Sequence, residues 1–261
     1  MVGASGYLGS EVARQASAAG HVVVGTATTG KAGHVPVDVT DRRAVRALIA
    51  AVQPKVVVNT VWGSWRVSAD GAANVAAEAA RVGARLVHIS TDAVFAGRPT
   101  PYAEADPPEP VTLYGAGKAA AETAVTAIDP TAVIVRTSLI VGTDESKQIR
   151  LVLDMMSGSQ PGRLFVDEIR CPVHVADLAG AVLELADSRF AGVLNVAGPE
   201  AISRADLGLL VARRRGLDET TVPTGRSADS GLGPRPLDVR LDITLARRVL
   251  RTPLRPVSEC V

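Results

Sequence analysis

The 261-residue sequence predicts an α/β fold, a doubly wound parallel sheet with a smaller C-terminal α/β lobe. Two observations predict this class. Short valine-rich runs alternate with segments of helical apolar period, which is typical of buried strands joined by crossover helices. A glycine-rich turn at the N-terminus also runs directly into the first helical segment.

The glycine turn covers residues 3–9, with glycines at positions 3, 6 and 9, and the helix after it is predicted to stop at Gly20. Glycines at this spacing let the backbone approach a pyrophosphate, and the helix N-terminus presents free N–H groups to that anion. Only Met1 and Val2 precede the turn, where folds of this kind place a buried strand. We therefore expect a truncated first strand, which means either a start upstream of Met1 or a strand reduced to a stub.

The remaining elements follow from apolar periodicity. Strands are expected at residues 21–25, 35–39, 56–60, 86–90, 132–135, 164–166 and 193–196. Helices are expected at 68–82, 113–128, 147–156, 175–186 and 243–250. Two further helices are expected to begin after Thr40, which would cap the first of them, and after Ser203. Because the pattern is less regular from Thr143 onward, we predict a nucleotide-binding domain over residues 1–142 and a substrate lobe, interleaved with it, over residues 143–261.

Composition favours a small-molecule partner. The chain is 47% hydrophobic and 21% charged with a formal net charge of +1, which argues against nucleic acid or membrane binding. No apolar run is long enough to span a membrane. Cys171 and Cys260 stand far apart and the four histidines are dispersed, so we expect a reducing cytosol, no disulfide and no metal site.

The loop after the second predicted strand contains Thr26, Thr28, Thr29 and Lys31 and no acidic residue. In dinucleotide folds, an acid here binds the ribose 2′-hydroxyl of NAD, whereas hydroxyl or basic side chains tolerate the 2′-phosphate of NADP. We therefore expect NADP(H), with NAD(H) as the alternative.

Two clusters of reactive side chains stand where ligands bind in an open parallel sheet. Thr91 and Asp92 close a predicted strand, and Tyr114 and Lys118 open the next helix. A spacing of four places the tyrosine and the lysine on one helix face. A lysine cation there lowers the pKa of the phenol, so Tyr114 is a candidate general acid.

These motifs resemble the extended short-chain dehydrogenase/reductases and, within them, the dTDP-4-dehydrorhamnose reductase group. The resemblance covers nearly the whole chain and rests on GASGYLG at 3–9, DVTD at 38–41, VN at 58–59, VHISTDAVFAG at 87–97, YG at 114–115 with Lys118 and Glu122, RTS at 136–138 and DLA at 177–179.

The resemblance implies a Rossmann fold and a catalytic triad of Thr91, Tyr114 and Lys118. Tyr114 would protonate the substrate carbonyl oxygen, Thr91 would hydrogen-bond to it, and Lys118 would hold the nicotinamide ribose. Asn74 would support the site. The cofactor-binding residues expected from the resemblance and from the threonine loop are Gly3, Ser5, Gly6, Tyr7, Leu8, Gly9, Thr28, Asp38, Val39, Thr60, Val61, Tyr114, Lys118, Thr137 and Ser138.

The chain departs from the group at Ala93, usually tyrosine, at Leu139, usually tryptophan, and over residues 61–65, which read Val-Trp-Gly-Ser-Trp. These positions border the sugar and the nicotinamide in the family. The resemblance therefore implies reduction of a keto group, on a deoxysugar nucleotide or a related metabolite, and leaves the sugar open. Candidate substrate contacts are Trp62, Thr91, Asp92 and Arg170. Trp62 either stacks on a substrate ring or packs against the second lobe.

Two alternatives stay open. The chain also resembles the regulatory subunit of methionine adenosyltransferase, which implies cofactor binding without turnover. The other alternative is a sugar-nucleotide epimerase of the same superfamily, which the lack of a second acid or cysteine beside Thr91, apart from Asp92, disfavours. We expect a homodimer in either case.

Overall fold

The computed structural model describes residues 1–30 and 33–261. Its strands are β1 (Thr26–Ala27), β2 (Val35–Pro36), β3 (Val56–Asn59), β4 (Arg85–Thr91), β5 (Val133–Thr137), β6 (Ile140–Val141), β7 (Leu164–Phe165), β8 (Ile169–Arg170), β9 (Val173–His174), β10 (Gly192–Asn195), β11 (Ile202–Ser203) and β12 (Thr224–Gly225). Its α-helices are α1 (Tyr7–Ala18), α2 (Arg42–Val52), α3 (Gly71–Arg81), α4 (Leu113–Ile128), α5 (Lys147–Met156), α6 (Val175–Ala186), α7 (Arg204–Arg214), α8 (Thr244–Val249) and α9 (Val257–Cys260).

A parallel sheet in the order β10-β5-β4-β3 lies at the centre. β1 and β2 form a second parallel pair. Val2 lies between the two groups, because it bridges to Thr26 on one side and to Asn59 on the other. The predicted doubly wound parallel sheet is thus confirmed, and Val2 occupies the place of the first strand among the described residues.

The strand predicted at residues 21–25 is wrong. These residues have no regular structure, and Val22 is 97% exposed. Their neighbour is Met1, whose amino group donates to the Val24 carbonyl at 2.9 Å and whose carbonyl accepts from Thr26 N at 2.9 Å. Because Met1 is the neighbour of residues 21–25 on this side, the ladder of β1 begins only at Thr26.

Helix prediction succeeded where caps and periodicity agreed. The bounds predicted for α4, α5 and α6 are confirmed. Thr40 is wrong as the cap of α2, because its hydroxyl donates to Asp38 Oδ1 at 2.8 Å. Asp41 caps that helix instead and accepts from Arg43 N and Ala44 N.

Helices cover both faces of the sheet. Leu86 and Val87, successive residues of β4, point into opposite apolar clusters, as the pleat of a strand requires. One cluster includes α1 and α6, and the other includes α2, α3 and α4. Full burial of a single leucine such as Leu178 contributes about 1.5–3 kcal/mol.

The second lobe is built from α5, α7 and short ladders that join β7 to β12 and β8 to β11. The sequence grouped residues 193–196 with this lobe, but β10 pairs with β5 at the edge of the central sheet. The reason is that α6, which precedes β10, packs against α1 on the sheet and returns the chain to that edge. Within the described ranges, no helix has the length and apolar character that crossing a bilayer requires.

Candidate active site

The glycine turn is held by close backbone packing. Gly3 has a φ of +83°. The Thr60 hydroxyl donates to the carbonyl oxygens of Val2 and Gly3, at distances of 3.1 Å and 3.2 Å from Oγ1. A Cβ on Gly9 would lie 2.1 Å from Gly3 O, so only glycine lets α1 pack on the turn. Gly6 caps α1 without a side-chain hydrogen bond, which leaves the first N–H groups of the helix available to an anion.

A cavity of about 410 Å³ lies beside this turn, at the carboxyl ends of β1 and β3. The predicted cofactor residues that line it are Gly3, Ser5, Gly6, Thr28, Asp38, Val39, Thr60 and Val61. Seven others do not: four of them, Tyr114, Lys118, Thr137 and Ser138, lie in α4 and at the end of β5, and three belong to the glycine turn. Leu8 is buried in the core, Gly9 lies beneath Gly3, and the Tyr7 hydroxyl accepts from Thr143 N at 2.9 Å. Asn74 donates to Val39 O at 3.0 Å and so supports the cavity wall, whereas Lys31 lies outside the described residues.

Thr91 and Tyr114 meet at the end of β4. Thr112 caps α4 by accepting from Gly115 N at 3.1 Å, which starts the helix just before Tyr114. A Cβ on Gly115 would lie 2.0 Å from Ala93 O, so glycine is needed where the helix contacts the segment after Asp92. Burial raises the pKa of Tyr114, and the hydroxyl of Thr91 partly opposes that rise.

Lys118 is buried under the same site. Its Nζ donates to Ile89 O at 2.8 Å and to Val61 O at 3.0 Å. Burial lowers its pKa to about 8, against the opposing charge of Glu122. The expectation that Lys118 lowers the pKa of Tyr114 is wrong for this structure, because the ammonium is directed at backbone carbonyls and burial dominates at the phenol.

Asp92 is the buried polar centre behind Thr91. Its Oδ2 accepts from Ser138 Oγ at 2.6 Å and lies 3.5 Å from Arg170 Nε. Burial raises the pKa of Asp92, and the Arg170 guanidinium opposes that rise. Thr137, beside Ser138 at the end of β5, is also buried, and its Oγ1 has no hydrogen-bond partner within the described ranges.

Arg170 does not reach a substrate in this arrangement. Its terminal nitrogens donate to the carbonyls of Ile169, Leu237 and Pro236 and to Glu168, while Nε faces Asp92. The expected role of Arg170 as a substrate contact therefore lacks a free donor. The side chain instead holds the second lobe against the end of β4.

Trp62 lies beside Tyr114. The two ring centroids are 6.4 Å apart and the rings meet edge to face at 85°. The Lys147 ammonium, from the start of α5, lies 5.2 Å from the centroid of the Trp62 ring. Trp62 therefore contacts Tyr114 at the site and Lys147 of the second lobe, so both interpretations of its role stay predictions.

Sequence reasoning missed several cationic side chains. Arg66 lines the 410 Å³ cavity, and Lys147 contacts Trp62. A second cavity, of about 570 Å³, lies in the second lobe. Besides Arg235, which its place in a loop of the second lobe already made a candidate for binding a diphosphate, the arginines of this cavity are Arg163, Arg204 and Arg226. No local motif links them, because they come from separate elements that only the tertiary structure brings together. No group of three or more potential metal ligands occurs in residues 1–30 and 33–261.

Comparison with known proteins agrees with this architecture. The family described as "RmlD substrate binding domain" matches residues 63–261. The dTDP-4-dehydrorhamnose reductase of Mycolicibacterium smegmatis is 32% identical over 278 residues, covering 100% of this chain and 83% of that protein. The spore coat polysaccharide biosynthesis protein SpsK of Bacillus subtilis is 31% identical over 249 residues, covering 90% of this chain and 86% of that protein.

A solved structure shows the same fold. The dTDP-4-dehydrorhamnose reductase of Bacillus anthracis in complex with NADP superimposes with a TM-score of 0.87 at 23% identity, covering 99% of this chain and 93% of that chain. The match over most of the chain and the two full-length relatives lead to one conclusion: this chain belongs to the RmlD substrate binding domain family.

Proposed function

We propose that this chain is an NADPH-dependent reductase that converts a keto group of a nucleotide sugar into an alcohol. The observation that carries the proposal is the meeting of Thr91, Tyr114 and Lys118 at the end of β4, next to the cavity at the glycine turn. An acid, a second hydrogen-bond donor and a buried cation at the mouth of a nucleotide cavity suit carbonyl reduction. The dTDP-4-dehydrorhamnose reductases among the relatives support this reaction class.

NADPH, when bound, supplies the hydride that adds to the carbonyl carbon. Tyr114 gives its phenolic proton to the carbonyl oxygen, which completes the alcohol, while Thr91 donates a hydrogen bond to the same oxygen. Because burial raises the pKa of Tyr114, the phenol holds its proton at neutral pH. Lys118, with a pKa of about 8, is mostly charged at pH 7, and its ammonium holds the Val61 carbonyl at the wall of the cofactor cavity.

The cavity at the glycine turn fits NADP(H). The uncapped N-terminus of α1 suits the pyrophosphate, and Asp38 and Val39 offer polar and apolar contacts to the adenine. Residues 26–28 of the lining include no acid, and among the described lining residues Asp38 is the acidic one and Arg66 is the cation. A guanidinium is well suited to a 2′-phosphate, so NADP is preferred and NAD is the weaker ligand.

The arginine-lined cavity of the second lobe supports a diphosphate-bearing substrate. Four arginines line it together with Glu168 and Asp229, and a planar guanidinium group binds two phosphate oxygens at once. Arg204 donates to Gln148, and Arg235 donates to Glu168 and lies 5.3 Å from the centroid of the Phe165 ring. Arg170, to which the sequence assigned a substrate contact, does not line this cavity.

The test is a turnover assay on the full chain with NADPH and a dTDP-4-keto-6-deoxysugar, following the loss of reduced nicotinamide absorbance. We expect turnover by the wild type and a loss of about 10²–10⁴-fold in kcat for Tyr114→Phe. Tyr102→Phe is the matched control, because Tyr102 stacks on Phe95 in the core and accepts from Gly97 N. Full activity in Tyr114→Phe would contradict the assignment of the acid.

Cofactor binding without turnover is the second candidate function. The observation that favours it is the position of Lys118, whose ammonium contacts two backbone carbonyls and not the phenol. Calorimetry separates the two functions. Tight NADPH binding combined with no turnover over a panel of keto-sugar nucleotides would support the non-catalytic function.

We place the reaction in the cytosol, because Cys171 and Cys260 are both free thiols in the described part of the chain, and unpaired cysteines suit a reducing compartment. The homodimer stays a prediction. Light scattering on the purified chain measures its mass directly.

A further inference from the structure

Both tryptophans of the chain lie in the loop between β3 and α3, and both are exposed. Trp62 is 61% exposed and Trp65 is 50% exposed. An indole left in water at the mouth of a cavity is a feature of binding sites, because its apolar area is then available to a ligand. The two side chains differ in what they contact.

Trp65 packs on α4. Its Cε3 lies 3.7 Å from the place where a Cβ on Gly117 would stand. Trp62 instead presents its ring to Tyr114, at a centroid distance of 6.4 Å, and lines the cavity at the glycine turn. Trp62 is therefore the tryptophan that a substrate beside Tyr114 would meet, and Trp65 supplies a matched control.

Lys147 reaches Trp62 from the other side of the cleft. It is the first residue of α5, and its ammonium lies 5.2 Å from the centroid of the indole. In the described ranges, Lys147 makes no ion pair with an acidic side chain. A cation in the first turn of a helix is also disfavoured by the helix dipole. An exposed ammonium in such a position is well placed to accept an anion.

We propose that Trp62 and Lys147 form a clasp that recognises the sugar-phosphate portion of the substrate. The apolar C–H face of the sugar takes the place of the ammonium on the indole, whose ring face attracts both cations and polarised C–H groups. Lys147 is then released to pair with a phosphate oxygen of the same substrate. This inference rests on the proposed function and names the residues that would select the sugar.

Fluorescence tests the clasp independently of turnover. In a Trp65→Phe chain, Trp62 is the single tryptophan, and it is titrated without cofactor against dTDP and against dTDP-glucose, which has a sugar but no keto group. We expect dTDP-glucose to quench Trp62 strongly and dTDP to quench it weakly. Equal quenching by the two ligands, or none, overturns the contact with the sugar.

Kinetics supplies the second measurement. Trp62→Ala should raise KM for the keto-sugar nucleotide by about five- to tenfold with kcat within about twofold, which corresponds to the loss of one stacking contact. Trp65→Phe should leave both constants unchanged. Lys147→Met keeps the side-chain length, and it should raise KM and weaken its dependence on salt concentration. An unchanged KM in Trp62→Ala overturns the clasp.

Failure of the proposed function looks different from failure of the clasp. If the wild type shows no turnover but dTDP-glucose still quenches Trp62, the reductase activity fails and the clasp stands. If the wild type turns over and neither Trp62→Ala nor Lys147→Met changes KM, the clasp fails and the reductase stands. Circular dichroism of each variant confirms folding, which we expect because both side chains are exposed.

Discussion

Burial is the largest influence on the pKa values of both Tyr114 and Lys118. Burial penalises the charged form of each group, so the pKa of the phenol rises while the pKa of the ammonium falls to about 8. The acid therefore stays protonated at working pH. The cation is the group of the pair that titrates near neutrality.

The first prediction concerns pH. We expect kcat/KM to fall as pH rises through about 8, because Lys118 loses its charge there and holds the Val61 carbonyl at the wall of the cofactor cavity less strongly. The measurement is a kcat/KM profile with NADPH held at saturation. In Lys118→Arg the charge persists over this range, so the remaining activity should lose that pH dependence. A profile that stays flat beyond pH 10 in the wild type would contradict the role of Lys118.

At the scale of elements, the turn before α1 depends on glycine at one point of contact. We predict that Gly9→Ala weakens NADPH binding at least tenfold and costs about 1–3 kcal/mol of stability, because the new Cβ would lie 2.1 Å from Gly3 O. Calorimetry and urea unfolding measure the two effects. Gly233→Ala is the control, since a Cβ there meets nothing within 4 Å. Equal NADPH affinity in the two variants would contradict the role of the turn.

A buried ion pair joins α4 to the central sheet. Glu122 accepts from Ser90 Oγ at 2.5 Å and from Arg136 at 2.8 Å, and all three side chains are buried. The pair fixes the helix that carries Tyr114 and Lys118 against β4 and β5. Its net contribution to stability is small, but removing one partner leaves a buried charge uncompensated.

We therefore predict that Glu122→Ala lowers the free energy of unfolding by about 3–5 kcal/mol, measured by urea denaturation. Glu219→Ala serves as the comparison, because its pairing with Arg213 is exposed and contributes little to stability. If the two variants lose equal stability, the buried pair does not hold α4 in the way we describe.

At the scale of the whole molecule, cofactor binding should stabilise the fold. NADPH contacts are proposed to α1, β1 and β3, and the Val2 bridges join β1 to β3. At about 100 times Kd, a ligand adds about 2.7 kcal/mol, which corresponds to a rise of about 5–10 °C in Tm for a chain of this size. Differential scanning calorimetry measures the shift. NADH at the same concentration should give a smaller rise, and an equal rise for both would contradict the preference for NADP.

The candidate catalytic triad stays a prediction, which the family resemblance implies. The sequence by itself determined the class of fold and most helix bounds. These follow from local rules, since apolar periodicity, helix caps and motif spacing act between residues close in the chain. The prediction of a strand at residues 21–25 failed, because this valine-rich run does not have a strand on each side of it. The sequence also assigned β10 to the wrong lobe, because the position of β10 depends on where α6 returns the chain.

Tertiary structure alone decided the surroundings of the site. The spacing of Tyr114 and Lys118 indicates one helix face, but only the packing shows the ammonium bound to the Ile89 and Val61 carbonyls. Likewise, the engagement of Arg170 by the protein, the arginine cavity and the contact of Lys147 with Trp62 join residues far apart in sequence. Such contacts depend on the overall path of the chain, which the helix and strand preferences of individual residues do not determine.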